Sequence, residues 1–225
     1  MSLTKSKERI QKHGEVFTPE WIVNDMLNLL PAEVWEIDKK FLEPACGEGA
    51  FLKEIYKIKL QNIQNVSQEK WEQKATVATS SIYGIELLND NIKQCKQNLI
   101  QLFVSIYDKL FRGSLNEIII DTVRFLVDKN IVQGNALTYR KCTVKCGNEC
   151  QQCELIVFSE WIPIFENEKL FIKRKDFSYE GLVKSDEMKQ KDNDNLFEEE
   201  VKNKEYGLIK EFETVDFKEI KNDTN

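Results

Sequence analysis

Glu43-Pro44-Ala45-Cys46-Gly47-Glu48-Gly49-Ala50-Phe51 closes a short apolar stretch and opens an amphipathic one. Phe41 and Leu42 read as the end of a buried strand, and Pro44 with the two glycines as a tight turn. From Ala50 onward, Phe51, Leu52, Ile55, Tyr56 and Ile58 recur at spacings that fall mostly on one face of a helix. A strand, a glycine turn and a helix in that order bring backbone N–H groups and a helix N-terminus to the carboxyl edge of a parallel sheet, where α/β folds bind ligands. Glycine is needed at such a turn because a Cβ would hold the ligand off. The dinucleotide fingerprint requires a third small residue three positions after Gly49, and that position is Leu52. A P-loop is excluded as well, since no Gly-Lys-Ser/Thr follows the turn. The expected ligand is therefore one without a pyrophosphate.

The nine residues from Glu43 to Phe51 closely resemble the S-adenosylmethionine motif of N6-adenine DNA methyltransferases, usually Asp/Glu-Pro-Ala-Cys-Gly-x-Gly-x-Phe. Three further segments fit that family in the right order. Gly14-Glu15-Val16-Phe17-Thr18-Pro19 looks like its N-terminal cofactor motif, with Thr18 offering a hydroxyl to the cofactor carboxylate and Pro19 starting a helix that holds Trp21, Ile22 and Met26. Ile82-Tyr83-Gly84-Ile85-Glu86-Leu87 reads as the second strand, and an acid at its end, Glu86, can accept hydrogen bonds from both ribose hydroxyls. Ile131-Val132-Gln133-Gly134-Asn135-Ala136-Leu137 reads as the third strand and its turn, with Asn135 able to donate to and accept from an adenine edge. The resemblance implies a cofactor set of Phe17, Thr18, Pro19, Glu43, Pro44, Ala45, Cys46, Gly47, Gly49, Phe51, Glu86, Asn135 and Ala136.

The family's catalytic element is an Asp/Asn/Ser-Pro-Pro-aromatic segment after the fourth strand, which acts on a flipped-out adenine. Here Leu155-Ile156-Val157 is the expected fourth strand and runs into Phe158-Ser159-Glu160-Trp161. Trp161 matches the aromatic position. Phe158 stands where the acceptor belongs, Ser159 and Glu160 replace the prolines, and Ser159 enters the acceptor role only by a one-residue slip. Ser159, Glu160 and Trp161 are the candidate catalytic residues. Two readings stay open: a DNA methyltransferase acting on adenine N6, alone or as a subunit beside a recognition or catalytic partner, and a catalytically inactive module that binds cofactor or partner in a restriction–modification or mobile-element system. Methylation of a protein amide is weakened by the same missing prolines.

The resemblance implies an α/β fold with a Rossmann-like, doubly wound, mostly parallel sheet of the class I methyltransferase type, its second half missing. Residues 1–183 are expected to form the cofactor-binding domain. Residues 184–225 read as a charged, flexible tail, and Tyr206, Leu208, Ile209, Phe212, Val215 and Phe217 as a docking strand or helix or a partner-binding peptide. Helical patterns over Ile92 to Phe111 and Leu115 to Val127 place their apolar residues in the core.

Cys142, Cys146, Cys150 and Cys153 crowd a loop between the third and fourth strands. All-thiolate structural zinc is one reading and reduced loop thiols the other, since only Cys150 and Cys153 have knuckle spacing. The spacing of Cys146, Cys150 and Cys153 also matches the cluster motif of radical S-adenosylmethionine enzymes, which is set aside because it comes late and no barrel of strands follows.

The chain has 225 residues, 41% hydrophobic and 31% charged, enough for one sizeable core. Its formal charge of −6 argues against a generic nucleic-acid coat. DNA as a partner follows from the family resemblance, and Lys169, Lys173, Arg174 and Lys175 with Arg140, Lys141 and Lys145 are candidates for a local basic surface or for charges solvating an edge strand. No apolar run reaches membrane-spanning length and no signal peptide is recognisable, so a cytoplasmic location and no membrane partner are expected.

Overall fold

A computed structural model of the chain describes residues 18–141, 153–192 and 206–222. Pro19 ends an extended stretch and its carbonyl accepts from Ile22 and Val23, so helix α1 (Glu20–Leu27) begins directly after it. A 3-10 turn over Ala32–Trp35 leads to β1 (Phe41–Glu43). Gly49 then caps α2 (Ala50–Gln61) from the left-handed region at φ +83°, which L side chains rarely adopt. Ser67 accepts a hydrogen bond from Lys70 N and opens α3 (Gln68–Ser80), which runs straight into β2 (Ile82–Glu86). Helix α4 (Asn89–Leu110) follows, then α5 (Glu117–Asn130), capped by Asn116, and β3 (Ile131–Gln133).

These strands form a parallel sheet in the order β1-β2-β3, with Phe41 opposite Ile82 and Glu86 opposite Gln133. Strand β2 lies in the middle and all five of its residues are buried, as expected of a parallel strand covered on both faces. Ile92, Cys95, Leu99, Phe103 and Tyr107 make the buried stripe of α4. It packs on α2 and α5, while Trp71 of α3 stacks on Tyr107 at a centroid distance of 5.2 Å. Tyr107 in turn donates to the buried carboxylate of Glu72. The parallel strands and the helices between them thus follow the spacing read from the sequence.

The chain departs from that reading after β3. Strand β4 (Val157–Glu166) turns back through Asn167 and Glu168, both at positive φ, into β5 (Lys169–Ser178). Such a two-residue turn twists with the strands and fixes the register of a hairpin. Phe158, Ser159, Glu160 and Trp161 therefore sit inside a ten-residue antiparallel ladder, opposite Phe177, Asp176, Lys175 and Arg174. Helix α6 (Tyr179–Asp192) follows, and the chain returns as β6 (Leu208–Glu211) and β7 (Val215–Asp216), both paired with β5. The mostly parallel sheet expected from the sequence is thus limited to three strands, and β4–β7 make a separate antiparallel sheet. Trp161, Leu170 and Ile172 share one face of the β4–β5 ladder and Phe158 lies on the other, against Tyr83 and Tyr179, and all four join the core that β2 and α4 build, so the antiparallel sheet is part of one packed body. Phe212, Phe217 and Ile220 of the same stretch are buried as well.

Candidate functional site

The turn between β1 and α2 is held by backbone bonds at both ends. Cys46 N donates to Ile85 O at 2.9 Å, Gly49 N to Cys46 O at 2.7 Å, and Lys53 N to Gly49 O at 2.8 Å. Gly47 adopts φ +53°, and a Cβ built on it meets no atom within 4 Å. The space beside Gly47 is thus open, and its amide points to a carboxylate: Gly47 N donates to Glu86 Oε2 at 2.8 Å. Glu86 Oε1 accepts from Leu88 N at 2.7 Å, and the Glu86 carbonyl accepts from Gly134 N at 2.9 Å. One residue at the carboxyl end of β2 therefore ties together the turns after β1, β2 and β3. Each carboxylate oxygen takes one of these N–H bonds and retains a lone pair for a further donor.

Glu43 is the second acid of the site. Its Oε2 is shut off from solvent and has no hydrogen-bond partner among the described residues. Burial pushes its pKa up from 4.5 to about 7, the Leu52 amide draws it back, and the nearby Glu86 charge adds to the rise. A buried acceptor without a donor calls for one from a ligand, and a cationic or N–H group would restore the carboxylate. Cys46 lies beneath the turn against Cys95 of α4; the hydrogen bond between the two thiols, then burial, hold the Cys46 thiol far above its ordinary range. Both cysteines are buried, and their sulfurs serve as packing atoms.

Pro44, Ala45 and Phe51 lie in the turn or the first turn of α2, as the sequence places them. Thr18 and Pro19 are half-buried at the start of α1, while Phe17 falls outside the described residues. Asn135 and Ala136 occupy the turn after β3, where Asn135 Oδ1 accepts from Leu137 N at 2.9 Å and its Nδ2 makes no hydrogen bond among the described residues. Asn135 Nδ2 is thus left as a donor, and its Oδ1 keeps one lone pair as an acceptor. The structure brings together Glu43, Cys46, Gly47, Gly49 and Glu86, and carries the Asn135 turn on the same strand ends.

Ser159, Glu160 and Trp161 have a different setting. Trp161 is 3% exposed, its Nε1 donates to Asn130 Oδ1 at 2.8 Å, and its ring meets the edge of Phe125 at 6.0 Å. Ser159 Oγ donates to Asp176 at 2.7 Å and accepts from Arg174 Nε at 3.0 Å. Glu160 pairs with Lys40. The register set by the hairpin turn faces Ser159 and Trp161 inward, while Glu160, on the opposite face, stays part-exposed. Ser159 and Glu160 line a pocket of about 220 Å³ together with Lys40, Leu42, Tyr83, Phe158, Phe177 and Leu182. The Tyr83 hydroxyl crosses to Ser159 O at 2.9 Å.

The basic stretch of β5 is largely neutralised. Arg174 is buried on Asp176 at 2.7 Å, Lys173 and Lys175 share Glu211 at 2.5 and 3.7 Å, and Lys141 pairs with Glu154 at 3.2 Å. Lys145 lies outside the described residues. Within the described part, the reading of charges that solvate a strand fits better than that of a free basic surface.

Cys142, Cys146 and Cys150 also lie outside the described residues, and Cys153 is half-buried. Among the described residues no group of three or more His, Cys, Asp or Glu is placed to hold a metal. Two residues escaped the sequence reading. At the site, Asn98 of α4 donates from Nδ2 to Glu48 O at 2.9 Å, and at the opposite, amino end of β1 and β2 the fully buried Lys59 donates to Ile37 O, Lys39 O and Ser81 Oγ. Burial lowers the Lys59 pKa to about 8. Their signal was a polar side chain on an otherwise apolar helix face.

The family model described as "MmeI, DNA-methyltransferase domain" matches residues 22–217. No curated protein and no solved structure matches the chain. No helix among the described residues is long and apolar enough to cross a membrane.

Proposed function

This chain belongs to the family of the MmeI DNA-methyltransferase domain, and we propose that it binds S-adenosylmethionine in the turn between β1 and α2 and methylates adenine N6 in DNA. The observation that carries the reading is Glu86, whose carboxylate receives Gly47 N beside a space that a Cβ would enter freely. In this reading the cofactor supplies a methyl group on a sulfonium centre. Glu86 accepts the ribose hydroxyls, the unpartnered Glu43 Oε2 takes a donor from the amino-acid end, and Asn135 Nδ2 donates to an adenine nitrogen. Pro44, Ala45, Cys46, Gly49 and Phe51 shape the turn, and Phe17, Thr18 and Pro19 close the methionine end. The Rossmann-like arrangement is supported by the parallel order β1-β2-β3, with β1 free at one edge of that sheet. A work site on DNA in the cytoplasm, in a restriction–modification setting, belongs to the same proposal, as does structural zinc on Cys142, Cys146, Cys150 and Cys153.

A second reading is favoured by one specific observation. Ser159 and Trp161 spend their polar atoms on Asp176, Arg174 and Asn130, which suits a module that binds cofactor and relies on a partner chain for the acceptor side. Nucleoside mass spectrometry separates the two. DNA from a host without adenine methylation, expressing this chain, is expected to contain N6-methyladenine, and DNA from cells expressing Glu86→Ala none. Cofactor binding without any methylated base would select the partner-dependent module.

A further inference from the structure

We propose that Asn98 is a positioning residue for the cofactor turn, holding the Glu48–Gly49 peptide from the flank of α4; the inference rests on the cofactor reading above. Positions 91, 95 and 98 fall on one face of that helix. Asn91 and Cys95 on that face are 1% and 0% exposed. Cys95 Sγ sits under Gly49, so close that a Cβ on Gly49 would stand 2.6 Å from it. One turn further along, Asn98 Nδ2 donates to Glu48 O at 2.9 Å, and its Oδ1 accepts from Gln94 Nε2 at 2.9 Å. The Gln94 bond fixes which way the amide faces and leaves the NH2 aimed at the turn.

The consequence follows from peptide planarity. Glu48 C=O and Gly49 N–H belong to one rigid unit and point in opposite directions. Holding the carbonyl on α4 directs the Gly49 amide to Cys46 O, where it closes the turn at 2.7 Å. Gly47, whose amide faces Glu86, lies between these two anchors. Because α4 starts three residues after Glu86, the helix that braces the turn is continuous with the strand end that carries the acid. Asn98 thus acts on ligand affinity through the turn and touches no ligand itself.

Asn98→Ala tests this with two readouts. Alanine is a better helix former than asparagine, so α4 is retained and the melting temperature is expected to stay within a few degrees. One lost hydrogen bond to a backbone carbonyl corresponds to about a five- to tenfold effect. In the ligand-free full chain, hydrogen exchange at the Gly49 amide is expected to rise by that factor. Titration with S-adenosylmethionine is expected to show a similar loss of affinity. Asn98→Asp, which keeps the shape but turns an oxygen toward Glu48 O, should lose at least as much, and Gln97→Ala on the exposed side of α4 should match the wild type in both. Faster exchange with unchanged affinity, or wild-type values in both, would overturn the proposal. A wild-type chain that fails to bind the cofactor would refute the cofactor reading, while the exchange data alone would still decide whether Asn98 holds the turn.

Discussion

The turn after β1 and the middle of β4 carry the two sets of residues that resemble a methyltransferase, and they use their polar groups in opposite ways. At the turn, Gly47 leaves space, Glu43 keeps an oxygen without a partner among the described residues, and Glu86 retains acceptor capacity. In β4, Ser159 and Trp161 are bonded to neighbours inside the protein, and Glu160 pairs with Lys40 nearer the surface. A binding site needs polar groups whose partners are missing from the chain, whereas a strand in a register-locked hairpin supplies its own. The difference favours the first region as the proposed ligand site, while Ser159 and Trp161 are buried.

Trp161→Ala gives the largest effect expected and would break this comparison most simply. Truncating a buried indole that also donates to Asn130 should destabilise the fold by about 3–5 kcal/mol. That corresponds to a fall of roughly 10 °C or more in melting temperature for a domain of this size. A Trp161→Ala protein that melts like the wild type but loses base methylation would return Trp161 to the catalytic role. Glu86→Gln comes next. It keeps one acceptor oxygen but presents an NH2 to Gly47 N or Leu88 N, and is expected to weaken cofactor binding by about 10- to 100-fold, since hydrogen bonds to a charged acceptor contribute about 1.5–3 kcal/mol.

Glu43 sharpens the comparison through pH. Its folded pKa of about 7 lies above the ordinary 4.5, so the folded state favours the protonated acid. The stability this contributes is complete below pH 4.5 and is lost as pH rises through 7, by at most about 3 kcal/mol. Glu43→Gln should therefore flatten the decline of stability between pH 5 and 8 in denaturant titrations. An identical decline in the variant would show that Glu43 is charged and solvated. Ser159→Ala has the smallest effect. It removes one partner of a buried Asp176–Arg174 pair that remains intact, so a loss of about 1 kcal/mol in denaturant titration is expected, with no change in cofactor affinity.

Much of the turn region was legible because each of its parts is local. A glycine at positive φ, an acid closing an apolar strand and the period of the following helix are written within a few residues of one another, and the order β1-β2-β3 came with them. The setting of Phe158–Trp161 was not legible, because it depends on pairing with residues 174–177 through a turn at Asn167 and Glu168 that carries no glycine. Leu155-Ile156-Val157 reads equally well as the close of a parallel strand or the lead into a hairpin, and only the long-range partner decides. Asn98 was hidden for a related reason. A single asparagine on a helix has many uses, and its role appears only when Glu48 O is found opposite it.

On the proposed reading the open space at Gly47 belongs to S-adenosylmethionine. Equilibrium binding of that cofactor to the purified chain, and to Gly47→Trp as a variant that fills the space without touching the core, tests this. Saturable binding at micromolar concentration is expected of the wild type, with a loss of at least 100-fold in a folded Gly47→Trp protein. Equal binding by both would contradict it, and so would a folded wild type that binds none.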